Sequence, residues 1–118
     1  MFICCSKKSN VVIIDWDSAM EQCGGDEKFL KKLLSETHKE ITKNGKLSDY
    51  SENFTREYAH MVKGVSQNLF CKDLEKSSSE LEFVIIRKED KKEVNKKINN
   101  MEISISRFEN FLKDNKII

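Results

Sequence analysis

Between residues 94 and 112 the apolar side chains Val94, Ile98, Met101, Ile105, Phe108 and Leu112 step by 4, 3, 4, 3 and 4. That spacing returns each of them to one side of a helix turning about 100° per residue, and it cannot line a face of a strand, where the period is two. An amphipathic helix needs a partner surface for its stripe, because in isolation it is marginal in water. The remainder of the chain offers such partners, and none of its 118 residues is a proline, so nothing forces a break inside a helical segment.

Four further segments read as helices. Asp15 or Asp17 can cap a short one through Trp16, Ala19 and Met20, which ends at Gly24 and Gly25, where a left-handed backbone is cheap. Asp26 caps the next, with Phe29, Leu30, Leu33, Leu34, Thr37 and Ile41 on one side, and a break or frayed turn falls between 44 and 52. Phe54, Tyr58, Met61, Val62, Val65 and Leu69 form the stripe of a third. The fourth uses Leu74, Leu81, Val84 and Ile85, with Ser77, Ser78 and Ser79 as small residues suited to close helix approach. The charged run Arg87 to Glu93 reads as a solvated turn or helix end. One short and four longer helices predict an all-α fold, an antiparallel four-helix bundle with an additional short N-terminal helix packed across it.

A chain of this length builds one core, so residues 11–118 are expected as a single bundle domain, with residues 1–10 a flexible N-terminus and Val11 to Ile14 packed on the domain. Lys plus Arg total 21 against 20 Asp plus Glu, a balance that gives no bulk charge to hold nucleic acid or a membrane surface. The apolar runs around Lys7 and Lys8 are too short for a signal sequence or a bilayer span, and Cys4, Cys5, Cys23 and Cys71 have no metal-finger or CxxC spacing. A cytoplasmic chain with reduced thiols is expected, with a nuclear pool if the source is eukaryotic.

The third helix carries the chemistry. At about 100° per residue His60 lies about 150° from the centre of the apolar stripe and faces solvent. Lys63, Gly64 and Gln67 follow it at +3, +4 and +7, and Arg56 precedes it at −4, so all share its side of the helix. A glycine inside a helix costs roughly 1 kcal/mol relative to alanine, which calls for a reason. If the imidazole accepts a phosphoryl group and passes it to a carboxylate of another protein, phosphorus needs in-line access from both sides, and Gly64 leaves the neighbouring turn bare. The group also brings close to two negative charges. An ammonium about 4 Å away contributes up to about 4 kcal/mol per charge pair at an effective dielectric near 20. Lys63 supplies that charge, with Arg56 in support.

The segment AHMVKGVSQNL, residues 59 to 69, resembles the AHxLKG segment of histidine-containing phosphotransfer (HPt) domains, which relay phosphoryl groups between receiver domains in multistep two-component signalling. The likeness extends to DWDSAMEQCGGDEKFLKKLL (15 to 34), similar to that family's opening helix, glycine-rich link and second helix, and to Leu74 with Leu81 and Glu82 in the following helix. The resemblance implies that His60 is the phosphoacceptor, Lys63 the stabilising cation and Gly64 the access position, within a helical bundle. It implies receiver (response regulator) domains and a hybrid sensor kinase as partners, a phosphocarrier without autonomous kinase activity, and no cofactor, the metal-assisted aspartyl chemistry belonging to the receiver. The chain has no GxxxxGK or GxGxxG loop.

The chain departs from the pattern in three regions. Val62 replaces a leucine, Thr37 and His38 stand where a phenylalanine is usual, and Phe70 stands where a glycine is common, which implies a differently built turn after the third helix. Gln67 is a candidate to hydrogen-bond the ring or a phosphoryl oxygen, and Glu82 to orient the other ring nitrogen; sequence alone fixes neither role. The exposed surface of the second and third helices is the expected docking face. A monomer is the default for a carrier that must expose its site, and a chain beginning at its own methionine favours a free-standing shuttle. Two other classes fit parts of the pattern. A helical adaptor would keep the bundle without the relay. A di-iron bundle would use the ExxH spacing of Glu57 and His60, but needs a second ExxH that the chain lacks.

Overall fold

The computed structural model describes residues 11–118; the expectation of a flexible segment at 1–10, and Cys4 and Cys5 with it, lie outside the described residues. Five helices follow in order: α1 (Trp16–Gln22), α2 (Glu27–Thr42), α3 (Glu52–Leu69), α4 (Lys72–Ile86) and α5 (Lys91–Asp114). Helices α2 to α5 form a four-helix bundle, with the short α1 at its side. Among the described residues no helix is long and apolar enough to cross a membrane.

The helix starts are written in short polar side chains that accept the amide hydrogens a helix leaves unpaired. Asp15 takes Ser18 N at 3.2 Å, Asp26 takes Phe29 N at 3.0 Å, Ser51 takes Phe54 N at 3.2 Å and Asp90 takes Glu93 N at 2.9 Å. Asp15 rather than Asp17 therefore begins α1. Gly24 and Gly25, at φ +66° and +80°, turn the chain into α2. The break expected between 44 and 52 is a 3-10 turn at Leu47–Asp49 that buries Leu47.

Among the described α-helices only α4 starts without a side-chain cap. The link before it is two residues long. Phe70 takes the left-handed conformation (φ +58°) that closes α3, Cys71 N donates to Ser66 O at 2.9 Å, and Phe70 O accepts from Asp15 N at 2.9 Å. The left-handed backbone is the one a glycine commonly takes at a helix end, so Phe70 occupies a glycine-type turn and does not bring the differently built one expected of it. The turn also anchors the N-terminal segment, whose Ile13 and Ile14 are buried.

The core is filled by Leu30 and Leu34 of α2, Tyr58 and Val62 of α3, Leu74 and Leu81 of α4, and Met101, Phe108 and Leu112 of α5. Two expected core residues are not in it: Phe29 and Phe54 are 48% and 42% exposed. In α3 the buried arc is Thr55, Tyr58, Ala59, Val62, Ser66 and Leu69, while Met61 and Val65 are only half-buried. Phe54 instead meets Tyr50 edge-on, with ring centroids 4.6 Å apart. The arc is turned toward the small residues Ala59 and Ser66 because α3 and α4 pack closely, and α4 answers with buried Ser77 and Ser78.

Polar ties hold the remaining pairs. The Tyr58 hydroxyl donates to Ile41 O at 2.7 Å, joining α3 to α2 in a buried setting that pushes its phenol well above the ordinary tyrosine range. His38 Nε2 lies 2.8 Å from Glu109 Oε2, joining α2 to α5. Arg107 donates twice to the buried Asp73 carboxylate, at 2.9 and 3.1 Å, and Ser104 adds a third bond, joining α5 to α4.

Candidate functional site

The tight Phe70–Cys71 link folds α4 back along α3, and this decides which residues of the two helices stand level. His60 is nine residues before the last residue of α3, and Glu82 is ten residues after the first of α4. An antiparallel hairpin brings positions equidistant from its turn side by side, so the two meet: His60 Nδ1 lies 2.7 Å from Glu82 Oε2. The second oxygen of the same carboxylate, Oε1, accepts from Lys63 Nζ at 3.3 Å.

The burial of the three groups is graded. The His60 side chain is 74% exposed, Lys63 is 35% exposed, and the Glu82 carboxylate between them is only 11% exposed. Both oxygens of this carboxylate have hydrogen-bonding partners, as a buried polar group requires. It holds the imidazole by Nδ1, which leaves Nε2 directed away from Glu82 and without a hydrogen-bond partner among the described residues. A hydrogen bond of this kind selects the tautomer with the proton on Nδ1 and the lone pair on Nε2.

One turn on, Gly64 is exposed, and a Cβ built on it would meet no atom within 4 Å. Close helix packing therefore does not explain this glycine. Its effect is to leave open the surface beside the His60 ring.

The other expected members are less engaged. Arg56 is exposed and its guanidinium donates to Asn53 Oδ1 at 3.2 Å, one turn before the histidine. Gln67 lies on the same face, exposed and with no hydrogen bond among the described residues. Glu57, the carboxylate of the ExxH spacing, is exposed as His60 is, and among the described residues no three His, Cys, Asp or Glu side chains converge to hold a metal ion. Glu82 is the member whose contact sequence could not fix. The signal for it was an acidic residue on α4 at the edge of an apolar stripe, where an unpaired charge is out of place.

Chemically the arrangement is a solvent-facing nucleophilic nitrogen with a buried acceptor behind the ring, an ammonium beside it and a bare surface in front. The chain matches no protein-family model, no curated protein and no solved structure.

Proposed function

We propose that this protein is a phosphocarrier of the histidine-containing phosphotransfer kind, taking a phosphoryl group from an aspartyl phosphate of one receiver domain and delivering it to the aspartate of another. The observation that supports this reading most is the Glu82–His60 hydrogen bond on an otherwise solvent-facing imidazole, with Lys63 on the same carboxylate and the open Gly64 turn alongside.

In the forward step the Nε2 lone pair attacks phosphorus as the bond from phosphorus to the aspartyl oxygen breaks and the electron pair leaves with the carboxylate. The ring, now substituted on Nε2 and protonated on Nδ1, carries positive charge, which the Glu82 carboxylate 2.7 Å away stabilises. Lys63 can swing from Glu82 to the arriving phosphoryl oxygens, exchanging one anion for another. Onward delivery reverses the step: the carboxylate of the next receiver attacks phosphorus, and the imidazole departs neutral with its Nδ1 proton still facing Glu82. Exposed Phe29 on α2 and Phe54 on α3, with half-buried Met61 next to the histidine, offer apolar surface for a transient partner.

The test is transfer from a radiolabelled, phosphorylated receiver domain to the wild type and to His60→Gln. Acid-labile, base-stable label on the wild type alone supports the relay. If the folded wild type takes up no label from a panel of receivers, the chain is a helical adaptor without relay chemistry.

A further inference from the structure

Away from His60, on the side of α4 that faces α5, two surface cavities of 570 and 640 Å³ lie end to end and share Glu80. The first is lined by Lys72, Lys76 and Arg107 with the apolar Val12 and Ile103; the second by Phe83 with Glu89, Asp90 and Glu93. Three of these apolar side chains are open to solvent, Val12 at 40%, Ile103 at 45% and Phe83 at 56%. Charge is sorted along the groove. Arg107 is engaged by the buried Asp73, but Lys72 and Lys76 are exposed at one end, while Asp90 and Glu89, the latter 3.7 Å from Arg87, are exposed at the other. At the middle, Lys97 bridges to Glu80 at 3.5 Å.

A face with a cationic end, an anionic end and apolar side chains on either side of its centre is complementary to itself. We propose that it pairs with a second copy of this chain about a two-fold axis perpendicular to α4 and α5. That axis sets the Lys72 and Lys76 end of one copy on the Glu89, Asp90 and Glu93 end of the other, twice over. It also sets Phe83 of each copy at the level of Ser77 and Ile103 of its mate, where the first cavity lies. A hetero-partner would need only one of the two signs; the presence of both, at opposite ends of one groove, favours the second copy. The groove runs roughly 20 Å along two helices each roughly 10 Å across, which is less than the roughly 800 Å² per partner of standard interfaces. The dimer is therefore a weak and reversible one. His60 lies on the α3 side of α4 and stays accessible, so the pairing stands or falls independently of the relay.

The experiment is sedimentation equilibrium of the full chain from micromolar to millimolar concentration. The average mass rises from 13.8 kDa toward twice that value, and less so as salt is added. Lys76→Glu and Glu93→Lys each place like charges across both symmetric contacts and weaken association by roughly a hundredfold. Mixed in equal amounts, the two variants pair with each other, because each reversed residue then meets its opposite. Circular dichroism confirms that both variants are folded. A wild type that stays at 13.8 kDa at millimolar concentration overturns the proposal and leaves the face to a different protein. A dimer indifferent to both reversals, or variants that do not pair when mixed, also overturn it.

Discussion

Glu82 and His60 are 22 residues apart in the chain and 2.7 Å apart in space, joined across α3 and α4 by a carboxylate that is mostly buried behind an imidazole that is mostly exposed. The asymmetry orients the ring: one nitrogen is committed to the protein and the other is presented to whatever approaches. Glu82→Gln retains the volume but offers Nδ1 a neutral acceptor that no longer stabilises a positive ring. Phosphoryl uptake by His60 is expected to slow by about a hundredfold, at the lower end of the range of positioned acid–base groups. Nitrogen NMR of the His60 ring provides the readout that a purely structural role would not move, with the proton shifting from Nδ1 toward an even mixture of tautomers. An unchanged tautomer ratio together with unchanged transfer would remove the role assigned to Glu82.

Gly64 separates access from packing. Because a Cβ there meets nothing within 4 Å, Gly64→Gln is expected to stabilise the fold by about 0.5–1 kcal/mol through helix propensity alone, raising Tm by a few degrees. The same side chain stands in front of the His60 ring and is expected to slow transfer strongly. Thermal melts and transfer rates measured on one preparation check both halves. A stabilised variant that transfers at the wild-type rate would show that this glycine does not serve access.

What could be read from sequence and what could not divide along physical lines. The helices were legible because their signals are local: a cap such as Asp26 or Asp90, a glycine pair at 24 and 25, and stripes at spacings of three and four. The outward direction of His60 was legible because it needs only the stripe of its own helix. The true buried arc of α3 was not, since Ala59 and Ser66 are buried by the nearness of α4 and carry little hydrophobic signal, whereas Phe54, like Phe29 on α2, carries a strong one and is left outside. The Glu82 contact likewise depends on the register of α4 against α3, which the Phe70–Cys71 link sets and which no periodicity within either helix contains.

Lys88 ends α4 in the left-handed conformation at φ +55°, a region that costs a side-chain-bearing residue roughly 1 kcal/mol and costs glycine little. Its side chain is exposed, so no packing is lost on removing it. Lys88→Gly is expected to raise stability by about 0.5–1 kcal/mol in denaturant unfolding with an unchanged m-value. Phe70, at nearly the same dihedral angle, is expected to gain less from the same change. Its half-buried ring packs against the core and stands 5.5 Å from Lys72 Nζ, contacts that glycine would forfeit.

The tie between α2 and α5 makes the bundle sensitive to acid. Glu109 has its carboxyl held below the usual glutamate range, first by the hydrogen bond to His38 and then by that to Lys113. A carboxylate whose folded pKa is depressed binds protons more readily in the unfolded chain. Its contribution is therefore fully present above the ordinary glutamate value of 4.5 and is lost as pH falls through the lower folded value. The group is about a third exposed, so solvent screens the pair and the effect is modest. Glu109→Gln removes the titrating group, and the loss of Tm between pH 6 and pH 3 is expected to be smaller in the variant than in the wild type, with the variant the less stable of the two at pH 6. Equal losses in the two proteins would mean that the His38–Glu109 pair contributes nothing to the acid response, which would then rest on the other carboxylates of the chain.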